Sequence, residues 1–78
     1  MIDEYCMIEI AFDDVEETKR TIKALLDEKL VSSCQMIESQ STWLWHQEIE
    51  SAKEYLVFVK TKKNLSTKIY NVVRKYHS

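Results

Sequence analysis

The 78-residue chain contains neither glycine nor proline, where average usage would supply about five of one and about four of the other. The missing glycine removes three chemistries together. A Walker A loop, a G-x-G-x-x-G dinucleotide turn and a G-x-S-x-G nucleophile elbow each need a backbone that takes positive φ or lies close against a phosphate. Basic excess is missing too. The 11 Lys and Arg stand against 13 Asp and Glu, a formal net charge of −2, so nucleic acid, which demands a basic stripe, is not an expected partner. No apolar run comes near the ~20 residues that span a bilayer; the densest is Tyr55-Leu56-Val57-Phe58-Val59. A membrane is therefore not an expected partner either. The start of the chain, Met1-Ile2-Asp3-Glu4-Tyr5, has neither the positive segment nor the apolar core of a secretory signal, which points to a cytoplasmic protein. In that reducing compartment Cys6 and Cys34 are expected as free thiols.

With 45% hydrophobic and 31% charged residues, the composition is that of an ordinary globular domain, and the length allows one domain over residues 1–78. From Tyr5 to Phe12, residues Cys6, Ile8, Ile10 and Phe12 alternate with Tyr5, Met7, Glu9 and Ala11, the period of a strand. Asp13-Asp14 then supplies a helix cap, with Glu16 and Glu17 where the helix dipole favours anions. Val15, Ile22, Leu25, Leu26 and Leu30 recur at helical spacing and predict a helix ending near Leu30. A second strand runs from Cys34 through Trp43-Leu44-Trp45-His46, with a bend or bulge expected near Glu38 to Gln40. A polar break at Gln47 to Lys53 leads to a third strand, Tyr55 to Thr61, the hairpin partner of the second. Lys62-Lys63-Asn64 caps a second helix whose apolar stripe is Leu65, Ile69, Val72, Val73 and Tyr76.

The order β-α-β-β-α is an α+β, ferredoxin-like split βαβ unit without its last strand, an antiparallel sheet with two helices on one face. The first strand is then an open sheet edge, which invites pairing with another chain. In the third strand Tyr55, Val57 and Val59 face one side while Leu56 and Phe58 face the other. Two helices cover a single face, so the second apolar face predicts a homo-oligomer.

Several segments resemble one known family. Leu25-Leu26-Asp27-Glu28-Lys29-Leu30-Val31-Ser32-Ser33-Cys34 is similar to the L-x-E-x-L-A-A-C segment of the CutA divalent-cation tolerance family. Ser41-Thr42-Trp43-Leu44-Trp45 is similar to its S-x-Y-x-W. Ile49-Glu50 with Tyr55-Leu56-Val57-Phe58-Val59-Lys60-Thr61 is similar to its E-x-x-L-x-x-K-T, and Lys75-Tyr76-His77 to its H-P-Y-E corner. Three departures stand out. Gln47 occupies the place of a turn glycine, Phe12 that of a proline, and the sequence stops at Ser78, before the family's Tyr-Glu-x-Pro segment and closing elements. The resemblance implies a C-terminally shortened member with a ferredoxin-like fold. It also implies a homotrimer, a role in copper or other divalent-ion tolerance, and no catalytic reaction.

The resemblance marks Cys34 and His77 as metal-ligand candidates for copper or another divalent cation, since thiolate suits Cu(I) and imidazole suits Cu(II). Each has a plainer reading: a buried cysteine acts as a small hydrophobe, and a histidine at a helix end complements the dipole. Trp45 and Lys60 form a candidate wall and cation of a small-ligand pocket between subunits; interface packing by large aromatics is the plainer account. Cys6 reads as core, His46 as an exposed turn residue, and Asp13, Asp14, Glu16 and Glu17 as helix-start residues. No H-x-x-x-H or C-x-x-C pair exists, so a metal site has to be assembled in space or between subunits. No base is spaced beside a nucleophile, which argues against an enzyme. The alternative to metal tolerance is an oligomeric signalling or scaffold module that binds a protein or small ligand at the subunit interface.

Overall fold

Strand β1 (Tyr5–Phe12) alternates in burial as it does in sequence, ending with Phe12 wholly inside. The structure is a computed structural model and describes residues 4–77. After β1 the Asp14 side chain accepts a hydrogen bond from the Glu16 amide at 3.2 Å and starts α1 (Val15–Asp27). The acidic cluster at 13–17 thus includes a working cap, as its place before an apolar stripe implies.

Helix α1 stops at Asp27, three residues short of Leu30. The chain leaves the helix through a left-handed residue, Lys29, at φ 57°. The Lys29 amide donates to the Leu26 carbonyl and the Leu30 amide to the Leu25 carbonyl, both at 3.0 Å. These are the two bonds of a Schellman ending, and its apolar contact is present, because Leu30 folds back into the core that holds Leu25. Leu30 is therefore a core residue that closes the helix from outside it. Leu26, expected on the apolar stripe, is exposed. The buried face of α1 is instead Thr18, Thr21 and Leu25, at helical spacing. The two threonines are affordable there because each hydroxyl donates to the carbonyl four residues back, Asp14 and Glu17, at 2.8 Å.

Two further expectations are corrected. Strand β2 (Ser33–Trp45) pairs with β3 (Glu48–Lys62) in one unbroken antiparallel register from Ser33 opposite Lys60 to Trp45 opposite Glu48. No bulge interrupts the ladder at Glu38 to Gln40, and the polar segment Gln47 to Lys53 is no break, since all of it after Gln47 is strand. The reason lies in the turn. His46 and Gln47 take φ 48° and 67°, the doubly left-handed pair of a two-residue type I′ hairpin, whose twist matches that of the strands it joins. A tight turn of this kind imposes one-to-one pairing on whatever residues follow it, polar or not.

A single 3-10 turn over Lys63–Leu65 leads into α2 (Ser66–Tyr76). The sheet order is β1-β3-β2, with every pair antiparallel. Both helices cover the face that carries Val57 and Val59, and Phe12, Leu25, Leu30, Val31 and Ile69 complete the core there. Buried Thr61 ties the sheet to the helix ending, its hydroxyl donating to the Leu30 carbonyl at 2.6 Å.

Left-handed backbone at a residue with a Cβ costs on the order of 1 kcal/mol, and glycine removes that cost. Lys29→Gly and Gln47→Gly are each expected to raise unfolding stability by about 1 kcal/mol, read as a higher urea midpoint at unchanged m-value. A lowered midpoint in both would contradict the two turn assignments.

Candidate functional site

Strand β1 pairs with β3 only over the half of β3 that ends the hairpin, from Tyr55 to Lys62. Beyond Tyr55, β2 and β3 continue alone as a two-stranded arm, which gives the molecule its 51 Å long axis against 25 and 19 Å. An isolated two-stranded ribbon has little stability of its own. This one carries large apolar side chains in the open: Leu44 is 71% exposed, Ile49 77% and Trp45 60%. At its root Lys53 and Glu38 form an exposed ion pair at 3.1 Å, whose hydrogen bond raises the Lys53 ammonium above its usual value.

The register sorts the strands into two faces. Positions paired with Val57 and Val59 look toward the helices: Ile8 and Ile10 from β1, Cys34 and Met36 from β2. The face turned away from the helices holds Met7 and Ala11 on β1, Leu56, Phe58 and Lys60 on β3, and Ile37, Trp43 and Trp45 on β2. Met7 is 65% exposed and Ile37 51%. Among the described residues, no helix or further strand covers this face. Trp43 and Trp45 do share it, as their spacing by two implies.

Cys34 lies on the helix side, half-buried and packed against the core. Burial pushes its thiol up from the ordinary value, so at neutral pH it is a protonated, weakly nucleophilic group. Cys6 is also half-buried and unpaired. Its register partner on β3 is Thr61 while that of Cys34 is Val59. Two strand spacings and a two-residue offset therefore put the cysteines roughly 12 Å apart, beyond disulfide reach.

His77 caps α2, its amide donating to the Val73 carbonyl at 2.8 Å. Its ring lies 4.7 Å from that of Phe12, and Nε2 is 2.7 Å from the Ala11 carbonyl oxygen. A carbonyl only accepts, so Nε2 carries the hydrogen of this contact. A backbone carbonyl on one ring nitrogen is a common way of fixing the orientation of a metal-binding histidine. The sequence carries no signal for this anchoring, because Ala11 and His77 are 66 positions apart. His46 is exposed in the hairpin turn, against the Trp45 ring.

The four sequence candidates do not come together within one chain. Cys34 stands level with Val59 on one side of the sheet, and His77 touches Ala11, level with Leu56, on the other. Strand geometry separates Cys34 from Ala11 by about 14 Å, far more than two ligands of one ion allow. Trp45, opposite Glu48, is 12 residues of strand from Lys60, or about 40 Å. Both share the open face at opposite ends of the hairpin. Among the described residues no three His, Cys, Asp or Glu side chains gather into a metal-holding group, and no helix is long and apolar enough to cross a membrane.

Because burial raises the Cys34 thiol, its iodoacetamide alkylation is expected to rise with pH at a midpoint above that of a free thiol such as glutathione. The same shift sets a sign for stability: the contribution is full below the ordinary thiol pKa and falls as pH rises through it, where the unfolded chain ionises first. Equal midpoints for Cys34 and glutathione would contradict the packing described.

Comparison with known proteins agrees with this architecture. The family model for the CutA1 divalent ion tolerance protein matches residues 6–78. The divalent-cation tolerance protein CutA of Archaeoglobus fulgidus is 31% identical over 71 residues, covering 91% of this chain and 70% of that protein. The solved structure of the A. fulgidus protein, described as periplasmic, superposes with a TM-score of 0.83 at 30% identity, covering 95% of this chain and 72% of that one. CutA1 of Ehrlichia chaffeensis, at 20% identity, shares the fold with a TM-score of 0.85 over 99% of this chain and 73% of its own. The expected α+β fold and family are thereby both confirmed, and the chain belongs to the CutA1 divalent ion tolerance family.

Proposed function

We propose that this protein is a non-catalytic divalent-cation tolerance protein that works as a cytoplasmic homotrimer and binds copper at its subunit junctions. Family membership supplies the divalent-cation role. The observation that carries the assembly is the open sheet face, where Met7, Ile37, Trp43 and Trp45 are exposed along one continuous surface. Exposed apolar area of this extent marks an interaction surface. In the arrangement we favour, the arm of each subunit crosses the open face of the next. Trp45 of one chain then approaches Lys60 of its neighbour, which no single chain allows.

His77 suits a ligand role, because the contact of Nε2 with the Ala11 carbonyl fixes the orientation of its ring. Copper bound there would act as a Lewis-acid centre favouring imidazole and thiolate donors. Cys34 must come from a different subunit than His77 if both serve one ion, and its proton must leave on binding. The two unpaired thiols, Cys6 and Cys34, support a reducing compartment. A second reading, an assembly that takes a small ligand or a protein at the junction, is favoured by the same placement of Trp45 and Lys60 on the open face.

Equilibrium dialysis against Cu(II), with Zn(II) for comparison, separates the readings. Cys34→Ser and His77→Ala are each expected to weaken copper binding by about tenfold or more without changing the assembly. Unchanged affinity in both variants would remove these residues as ligands and leave the second reading.

A further inference from the structure

We propose that β3 carries a charge pattern by which the chain docks on a second copy of itself in one polarity only, the carboxylates of Glu48 and Glu50 on the arm meeting the Lys60 ammonium of the neighbouring copy. The inference rests on the assembly reading above and deepens it, because it names what aligns the arm on the next subunit. It involves no metal.

The order of charge along one strand is the first observation. Side chains two apart share a face, and the row of β3 on the open face has carboxylates at Glu48, Glu50 and Glu54, apolar groups at Leu56 and Phe58, and an ammonium at Lys60. It is acidic on the arm, apolar in the middle and basic at the far end, where Lys62 continues it. Strand β1 adds one carboxylate to this face, Glu9, level with Phe58. Lys60 and Lys62 together outnumber it, so the far end keeps its sign.

The second observation is that folding within one chain does not use these charges. Glutamate is depleted in strands, and an opposite charge across the ladder is the local interaction that offsets this. Here Glu48 lies opposite Trp45 and Glu50 opposite Trp43, while Lys60 lies between Met7 and Ser33. All three charged residues are exposed. Among the described residues no ion pair involves Glu48, Glu50 or Lys60, although Lys53 and Glu38 at the root of the same arm do pair.

Charge complementarity makes the occupant a second copy. Two such rows laid in the same direction put carboxylate on carboxylate. Laid in opposite directions, they bring the acidic arm of one copy over the basic end of the other, and sheets packed face to face lie about 10 Å apart, a gap that glutamate and lysine side chains span together. Trp43 and Trp45 arrive with the glutamates, and an indole face attracts the same ammonium. Like charges reject the reversed docking, so repulsion sets the polarity as much as attraction does. Each copy then gives one acidic arm and receives another on Lys60, the head-to-tail contact from which rings are built.

The test reverses the pattern and asks which chains assemble together. One variant of the 78-residue protein combines Glu48→Lys, Glu50→Lys and Lys60→Glu, which restores complementarity with the opposite sign. It is refolded from urea in equal amounts with isotope-labelled wild type, without metal, and the mixture is read by native mass spectrometry. The reversed chain is expected to assemble with itself, and mixed assemblies are expected at about one-fifth or less of their statistical share. Labelled and unlabelled wild type, refolded together, give the statistical distribution for reference. Lys60→Glu alone, which sets the acidic arm against a carboxylate, should shift half-assembly to about fivefold higher protein concentration. Statistical mixing of the reversed chain with wild type, or failure of the reversed chain to assemble with itself, would overturn the proposal and leave the assembly reading standing. A wild-type chain that stays monomeric would overturn both.

Discussion

The structure depends on β3 being asked to serve two faces while only one can be covered. Its odd positions are sealed under the helices, with Val59 and Val57 at 0% and 1% exposure, and these hold both ladders in register through the centre of the sheet. Its even positions, Leu56, Phe58 and Lys60, lie on the side that neither helix reaches. Two helices can blanket one face of a three-stranded sheet and no more. A domain of this size hides only about 60% of the surface its unfolded chain exposes, so further burial at the second face is the natural source of added stability.

The arm follows from the same strand. Because β2 and β3 are joined by a two-residue turn, their ladder cannot stop where β1 stops, and the surplus projects as a ribbon with Trp43, Leu44, Trp45 and Ile49 on its surface. A ribbon too thin to hold itself and too apolar for water suits contact with another subunit. The candidate ligands obey the same logic, since each pair that the family resemblance singles out is split across the sheet or along the hairpin. An interface is what the geometry offers for joining them.

Most of the fold was legible in the sequence because it rests on periodicity. The alternation of Tyr5 to Phe12, the two-faced run at 55–59 and the helical stripe ending at Tyr76 place the strands and helices directly. What stayed hidden was backbone chemistry without its usual residues. Lys29, His46 and Gln47 take left-handed conformations that glycine or asparagine would have announced, so the helix was read three residues long and the hairpin arm was read as a polar break. Thr18 and Thr21 were missed as core because their burial depends on hydroxyls folding back on the helix. At the site, the individual residues were visible and their spacing was not. Cys34 and His77 stand out by type, while their separation is a property of strand register, and the bond from His77 to Ala11 joins two ends of the chain that share no local pattern.

The account rests most directly on the open face being buried between copies of this chain. Native mass spectrometry of the metal-free 78-residue protein at micromolar concentration tests that claim, with Ile37→Lys as the variant that places a charge in the middle of the face. The account predicts the mass of three chains for the wild type and a folded single chain for the variant. A wild-type protein that remains a folded monomer under those conditions would contradict it.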